Sequence, residues 1–429
     1  MTLGLIKNNY LIAAHFGSMD SIQAKTHDLI YQAVATLEGK QAKLILEKQG
    51  LRMLHLLIKP DQIGALRDLV MPDLRPDLLK LAFEIGRNLL EIEGEFFIDD
   101  YTILRINFPY LEALKASKQA ENPGIGRTDH KTRSIAAANK VINPNYNPQA
   151  YHNYEPPPAW AHGPHQDSWT GHSCDGVNLW WAMEDVPEEG SMVFFPETTD
   201  RYFEPDETSL YLKAGQPLPK PTPMSLRTGE MLIFNPEMLH GTHLNISNFT
   251  RLAVSTRLNQ SRPKFSPSCF YAREFWHSSN SIETGIYDNV IHCKRADNLS
   301  TEPEIKGEVH YVIPEAVEIE AIEGEQWHTI CESSRLSKNK KLLVRCAGKP
   351  DILILRGEYN LSAVQANCAH VPRVSLADGF HDDQHIWCPN HAVRYSLESG
   401  NSSCPKLKLR RYDLLEENGV IKLNFQSWA

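Results

Sequence analysis

The chain has 429 residues, 41% of them hydrophobic and 23% charged, with a formal net charge of −9. This is the composition of a soluble globular protein too long for one ordinary core, so two domains are expected. The acidic balance argues against a general nucleic-acid binder, no apolar run approaches the ~20 residues of a membrane helix, and eight cysteines in so long a chain do not make a disulfide scaffold.

The N-terminal stretch MTLGLIKNNYLIAAHFGSMD has no proper apolar signal region or small-residue cleavage site, so it reads as part of the mature protein. A reducing cytoplasm fits the cysteine usage best. From about Met19 to Glu93 the pattern is helical: DLLKLAFEIGRNLLEIEG carries apolar residues at three-and-four spacing, and Pro60, Pro72 and Pro76 punctuate the run. At Phe96 the texture changes, and FFIDDYTILRINFPY, rich in β-branched and aromatic residues, predicts a strand. Lys115 to Pro158 is a long polar stretch that leads into a histidine motif, which favours a mobile lid. Short strands are then predicted in VNLWWAMEDV, GSMVFFPE, GEMLIFNP and RLAVSTRL, a spacing that suits a sandwich or jelly roll. A connector over residues 301–320 separates residues 1–300 from a second strand-rich domain over 321–429.

Two groups of residues carry chemistry. In the first, His165 and Asp167 lie two apart and so project to one side of an extended chain, and His240 follows in LHGT. Two histidines and a carboxylate make the facial triad of non-haem Fe(II) oxygenases, which leaves neighbouring coordination positions open. Arg251, eleven residues after His240 on the next predicted strand, offers a guanidinium that can pair with the far carboxylate of a keto acid. His243 is a rival to His240, but strand alternation turns it to the opposite face. His162, His172 and His243 read as surface or hydrogen-bonded histidines, and Arg105 as solvated or ion-paired.

The ordered set HQD, WWAMEDV, GEMLIF, LHGT, Asn245, Ser247 and Arg251 resembles the phytanoyl-CoA dioxygenase family over about Phe96 to Asn259. The resemblance implies a double-stranded β-helix (jelly roll). It also implies iron held by His165, Asp167 and His240, and 2-oxoglutarate held by Arg251, with Thr242 and Trp180 beside the co-substrate. The implied chemistry is cleavage of 2-oxoglutarate to succinate and carbon dioxide, coupled by dioxygen to oxidation of a small, polar substrate. Packing of Trp180 and Trp181 on alternate strand faces is the plainer reading of those two residues.

The second group is Cys368-x-His370, seventeen residues, then Cys388-x-x-His391. Each half supplies one thiolate and one imidazole, the set that holds an asymmetric 2Fe–2S centre. Zinc also accepts two Cys and two His, but zinc fingers usually pair like with like, and here the types alternate. The surroundings from about Ile322 to Leu423 resemble the Rieske ferredoxin family, with Ala392 where that family usually has glycine and Tyr395 where a cluster-tuning hydroxyl stands. The remaining cysteines (Cys174, Cys269, Cys293, Cys331, Cys346, Cys404) show no motif spacing and are expected as buried or free thiols.

The expected fold is thus mainly β with N-terminal helices: a jelly roll followed by a small all-β Rieske domain. Electron counting leaves the cluster without a place in the main reaction, because 2-oxoglutarate and substrate together supply the four electrons that dioxygen takes. Re-reduction of oxidised iron or auxiliary electron transfer is the first role expected of it, with a ferredoxin or reductase as donor. A structural role ranks second. The alternatives are a reductase-driven Rieske monooxygenase that does not use 2-oxoglutarate, and a non-catalytic redox carrier or sensor. A homo-oligomer would suit electron transfer between subunits, but the sequence does not specify one.

Overall fold

The structure, a computed structural model, describes residues 11–13, 18–100, 102–113, 161–170, 172–173, 175–198, 201–206, 211–264, 275–287, 290–292, 309–320, 326–370 and 374–428. The expected lid over Lys115 to Pro158, and Cys174, Cys269 and Cys293, lie outside the described residues. No helix among the described residues is long and apolar enough to cross a membrane.

The chain divides into two compact units. The first carries, after a short strand, helices α1 (Met19–Glu38), α2 (Lys40–Gln49) and α3 (Ile63–Glu84). Gly39, at φ +91°, ends α1 and turns the chain straight into α2, a backbone setting that L side chains avoid. Pro72 and Pro76, read as punctuating the helical run, lie inside α3, which passes through both. Each interior proline costs about 3 kcal/mol. Leu66, Val70, Leu74, Leu78 and Leu81 of α3 are buried, and at about 1.5–3 kcal/mol each they offset that cost.

The strands of this unit are β1 (Leu11–Ala13), β2 (Phe97–Asp99), β3 (Ile103–Asn107), β4 (Gly176–Ala182), β5 (Met192–Phe194), β6 (Thr222–Met224), β7 (Met231–Phe234), β8 (His240–Thr242), β9 (Arg251–Asn259), β10 (Phe275–Ser278) and β11 (Ile291–His292). The single strand predicted from Phe96 is two, β2 and β3, which pair separately with β9. An eight-stranded sheet runs β1-β7-β4-β9-β2-β10-β11, with β3 also on β9, and a three-stranded sheet runs β6-β5-β8.

The period of two along β4 and β9 sorts their residues. Val177, Leu179 and Trp181 of β4, with Leu252, Val254 and Leu258 of β9, join the helices in one large core. Trp180, Ala182 and Ala253 turn the other way and pack with Met192, Phe194, Leu232, Phe234 and Met238 in a smaller core. Asn178, Arg251, Ser255 and Arg257 share that second face, so polar groups line the side of the sheet that carries the smaller core.

The second unit is all β. Its strands are β12 (Glu315–Ile319), β13 (Trp327–Glu332), β14 (Lys340–Cys346), β15 (Ile352–Arg356), β16 (Leu361–Gln365), β17 (His385–Trp387), β18 (Arg394–Ser396), β19 (Arg411–Tyr412), β20 (Leu414–Glu417) and β21 (Val420–Asn424). They form sheets ordered β12-β14-β15-β16-β19 and β13-β21-β20 and a β17-β18 hairpin. Val344, Ile352, Ile354, Ile421 and Leu423 are among its buried core residues.

Residues 201–204 and 212–222 also belong to this unit, although they fall within the range expected for the first domain. Hydrogen bonds hold 212–222 there: Gly215 N–H donates to Asp378 Oδ2 at 3.0 Å, Leu218 N–H to the Asp378 carbonyl at 3.0 Å, and Val312 N–H to the Gly215 carbonyl at 2.9 Å, while the Gln216 amide ties in Glu204 at 2.9 Å.

Candidate metal centres

In the first unit, His165, Asp167 and His240 gather into one buried group whose candidate ligand atoms all lie within 4.8 Å of one another. Backbone pairing does the gathering. His165 N–H donates to the His240 carbonyl at 2.8 Å, His240 N–H returns the bond at 3.0 Å, and Asp167 N–H reaches the Pro236 carbonyl at 2.8 Å. Gly241 permits the close approach, since a Cβ there would meet the His162 carbonyl oxygen at 3.2 Å and Gly163 C at 3.3 Å. Asp167 opens a short 3-10 turn instead of continuing an extended strand, yet it still stands on the same side as His165.

Each triad side chain is held by one atom and presents another. His165 Nδ1 bonds the Gly163 carbonyl at 2.8 Å and His240 Nδ1 bonds the Met238 carbonyl at 2.8 Å. A carbonyl only accepts, so both protons sit on Nδ1 and both Nε2 lone pairs face inward. Those Nε2 atoms lie 3.4 and 3.9 Å from Asp167 Oδ1. The other carboxylate oxygen, Oδ2, accepts from Asn178 Nδ2 at 2.8 Å and faces an Arg257 terminal nitrogen at 3.4 Å. Burial opposes the Asp167 charge, but Arg257, His172, His165 and His240 outweigh it and hold the carboxyl well below its ordinary range. Burial, followed by the neighbouring His165, pushes His240 down to about 4. Two imidazoles and one carboxylate form a donor set that fits a divalent first-row metal.

Arg251 lies on the same face of β9. A terminal nitrogen donates to the Gly190 carbonyl at 3.0 Å, while its Nε–H has no partner among the described residues. Its guanidinium carbon is 5.5 Å from the Trp180 ring, within cation–π range. Burial and then Arg105 push its pKa down to about 9, the signature of a cation short of compensating negative charge. Trp180 is buried, and its indole N–H also lacks a partner among the described residues. The Thr242 hydroxyl faces Met192 Sδ at 4.0 Å.

In the second unit, Cys368, His370, Cys388 and His391 are all buried. Cys368 and His370 stand on the loop after β16, and Cys388 and His391 on the turn between β17 and β18. The two imidazoles bring their Nδ1 atoms within 3.3 Å of each other, and Tyr395 OH lies 3.3 Å from Cys368 Sγ. Burial, with Cys368 beside it, raises the Cys388 thiol well above its usual range, which a bound cation would reverse. Imidazole thus faces imidazole and thiol stands beside thiol, although each loop supplies one of each, as a cluster with two cysteines on one iron and two histidines on the other requires. Ala392, next to the last ligand, sits at φ +56°.

Residues 118–253 match the phytanoyl-CoA dioxygenase (PhyH) family, and residues 326–412 match the Rieske 2Fe–2S domain family. This chain joins a phytanoyl-CoA dioxygenase domain to a Rieske domain. The triad and Arg251 fall inside the dioxygenase match, and all four Cys and His ligand candidates inside the Rieske match. Similar solved structures include the ferredoxin of carbazole 1,9a-dioxygenase from Nocardioides aromaticivorans IC177, 19% identical over 23% of this chain and 98% of that one, TM-score 0.22. A Sphingomonas yanoikuyae B1 ferredoxin is 18% identical over 23% of this chain and 96% of its own, TM-score 0.21. A complex of reduced oxygenase and oxidized ferredoxin in carbazole 1,9a-dioxygenase matches at 21% identity over 23% and 93%, TM-score 0.22. No curated protein matches the chain.

The sequence read His162, His172 and His243 as surface or hydrogen-bonded histidines, and His162 and His243 take the second course. His172 and His243 are buried and not on the surface: His172 lies 3.8 Å from Asp99 and 4.0 Å from Asp167, and His243 Nδ1 bonds the Leu244 carbonyl at 2.7 Å. His162 Nδ1 bonds Tyr211 OH at 2.9 Å. Arg105 is part-buried on the same sheet face as Arg251 and donates to Ser255 Oγ at 2.8 Å. Asn178 and Arg257, the partners of Asp167 Oδ2, were not singled out from the sequence. The period of two was the available signal, since Asn178 shares a face with Trp180, and Arg257 with Arg251. In the Rieske domain, Cys331, Cys346 and Cys404 are buried free thiols, as expected.

Proposed function

We propose that this protein is an Fe(II)- and 2-oxoglutarate-dependent oxygenase that oxidises a small polar metabolite, with the Rieske cluster as an auxiliary electron-transfer centre. One observation carries the reading: two inward Nε2 atoms and one carboxylate oxygen converge on the sheet face that also presents Arg251. The two sheets around this face would form the jelly roll of such enzymes. Residues 1–300 would act as the oxygenase, 301–320 as linker and 321–429 as the redox domain.

When bound, iron at His165, Asp167 and His240 supplies the oxidation of substrate by dioxygen, coupled to decarboxylation of the keto acid. The protein's own groups position the reactants. Along β4, Asn178 marks the metal end and Trp180 follows two residues on, about 7 Å away. Trp180 stands beside Arg251. A short dicarboxylate laid along this face would keep its keto-acid end at the triad and its far carboxylate at Arg251, flanked by the Trp180 ring. Thr242, next but one to His240, would border the same co-substrate.

Anaerobic reconstitution with Fe(II), followed by oxygen uptake and succinate measurement, tests the reading. Succinate should form only with 2-oxoglutarate, and Asp167→Ala should abolish it. Oxidised product formed with a reductase and NAD(P)H but no keto acid would overturn it in favour of a Rieske monooxygenase.

A further inference from the structure

The two oxygens of Asp167 are treated differently by the protein. Oδ1 faces the imidazole Nε2 atoms of His165 and His240, at 3.4 and 3.9 Å. Oδ2 is bonded by Asn178 Nδ2 from β4 at 2.8 Å and approached by Arg257 from β9 at 3.4 Å. Asn178 and Arg257 are direct register partners on adjacent strands, so the two donors form one rigid platform. Arg257 is itself anchored behind the triad. Its other terminal nitrogen lies 3.9 Å from Asp99 Oδ2, and His172 stands 3.8 Å from that same oxygen. Asn178, Arg257, Asp99 and His172 are all buried, which makes each charge-assisted contact stronger than it would be in water.

A free carboxylate can bind a metal through one oxygen or two, and the choice sets how many positions remain. With two histidines, a one-oxygen carboxylate leaves three positions of an octahedron. A chelating keto acid takes two, and dioxygen needs the third. A two-oxygen carboxylate leaves only two, so keto acid and dioxygen cannot both bind.

We infer that Asn178 and Arg257 are positioning residues that hold Asp167 Oδ2 away from the metal and restrict this carboxylate to a single ligand oxygen. The inference rests on reading His165, Asp167 and His240 as a metal site. It predicts that removing a donor loosens the carboxylate, weakens metal binding and lets Oδ2 take a position otherwise open to water or co-substrate.

The test uses the full-length protein with the Rieske cluster loaded and Co(II) as a spectroscopic probe of the mononuclear site. Asn178→Leu removes the amide at similar volume, and Arg257→Lys keeps the charge but loses the planar fork. Each variant should raise the Co(II) dissociation constant about 10- to 100-fold, the usual effect of losing a partner of a metal ligand. Each should also shift the Co(II) ligand-field bands, because a strained two-oxygen carboxylate chelate replaces a water on the metal. Asn178→Gln, which keeps an amide within reach, should recover part of the affinity and remains informative if the leucine variant does not fold. Wild-type Co(II) affinity and unchanged ligand-field bands in Asn178→Leu and Arg257→Lys, with unchanged thermal melting, would overturn the inference. Failure of the underlying reading looks different, because wild-type protein would then bind no Co(II) that His165→Ala removes.

Discussion

Replacing Arg251 with methionine isolates the proposed co-substrate contact. The side chain is buried on β9, donates to the Gly190 carbonyl and stands against Trp180. Its lowered pKa, about 9, shows a guanidinium that lacks full compensation, and an incoming carboxylate would supply it. A charge-assisted hydrogen-bonded pair in such a place is worth about 2–3 kcal/mol, so Arg251→Met should weaken 2-oxoglutarate binding by about 30- to 150-fold. Arg251→Lys keeps the charge without the fork and should fall between the variant and wild type. The assay is the succinate-formation KM for 2-oxoglutarate, with pyruvate as a keto acid that lacks the distal carboxylate. Pyruvate should be a poor co-substrate for the wild type and no poorer for Arg251→Met. An unchanged KM for 2-oxoglutarate, or an equal loss with pyruvate, would refute the clamp.

Other outcomes follow from the same geometry. Asp167→Ala should lower iron from about three atoms per chain to about two, leaving the 2Fe–2S electron paramagnetic resonance signal intact. Iron and sulfide analysis after anaerobic purification checks this. Cys388→Ala should erase that signal but leave 2-oxoglutarate-dependent succinate formation measurable, because the electron balance of the main reaction needs no cluster. Tyr395→Phe removes the hydroxyl 3.3 Å from Cys368 Sγ and should lower the cluster potential by on the order of tens of millivolts in a redox titration. Ala392→Gly relieves a left-handed alanine and should stabilise the Rieske domain by up to about 1 kcal/mol, read as the loss of visible cluster absorbance on heating. Burial lowers Lys341 to about 8, so between that pH and its unfolded value near 10.5 the unfolded chain binds the extra proton. Stability should therefore rise with pH across that window relative to Lys341→Met, by on the order of 2 kcal/mol in paired denaturant titrations.

Local pattern was enough to single out both candidate ligand sets, although long-range backbone pairing brings His240 to His165 and Asp167. His165 and Asp167 stand two apart, and His240, Cys368-x-His370 and Cys388-x-x-His391 lie on tight loops or short strands, where neighbours in sequence are neighbours in space. The helical N-terminal part and most strands were also legible, because a period of 3.6 or 2 reports directly which residues face a core. Pairing across the sheet was not. That β9 sits between β4 and β3, and so brings Arg257 beside Asn178 and onto the back of Asp167, depends on strand order and register. Those are set by the whole core, not by any one segment.

The same limit explains α3. Proline's local cost is visible in the sequence, but the leucine and valine stripe that outweighs it counts only once a sheet packs against it. Residues 212–222 are a third instance, joining the second unit through bonds linking Gly215 and Leu218 to Asp378 and Val312, more than ninety positions further on. The sequence by itself determined which side chains are available for the metal and in what local geometry. Tertiary structure alone decided which buried donors hold Asp167 and where Arg251 stands, because a hydrogen bond between distant strands is specified by the shape of the packed interior.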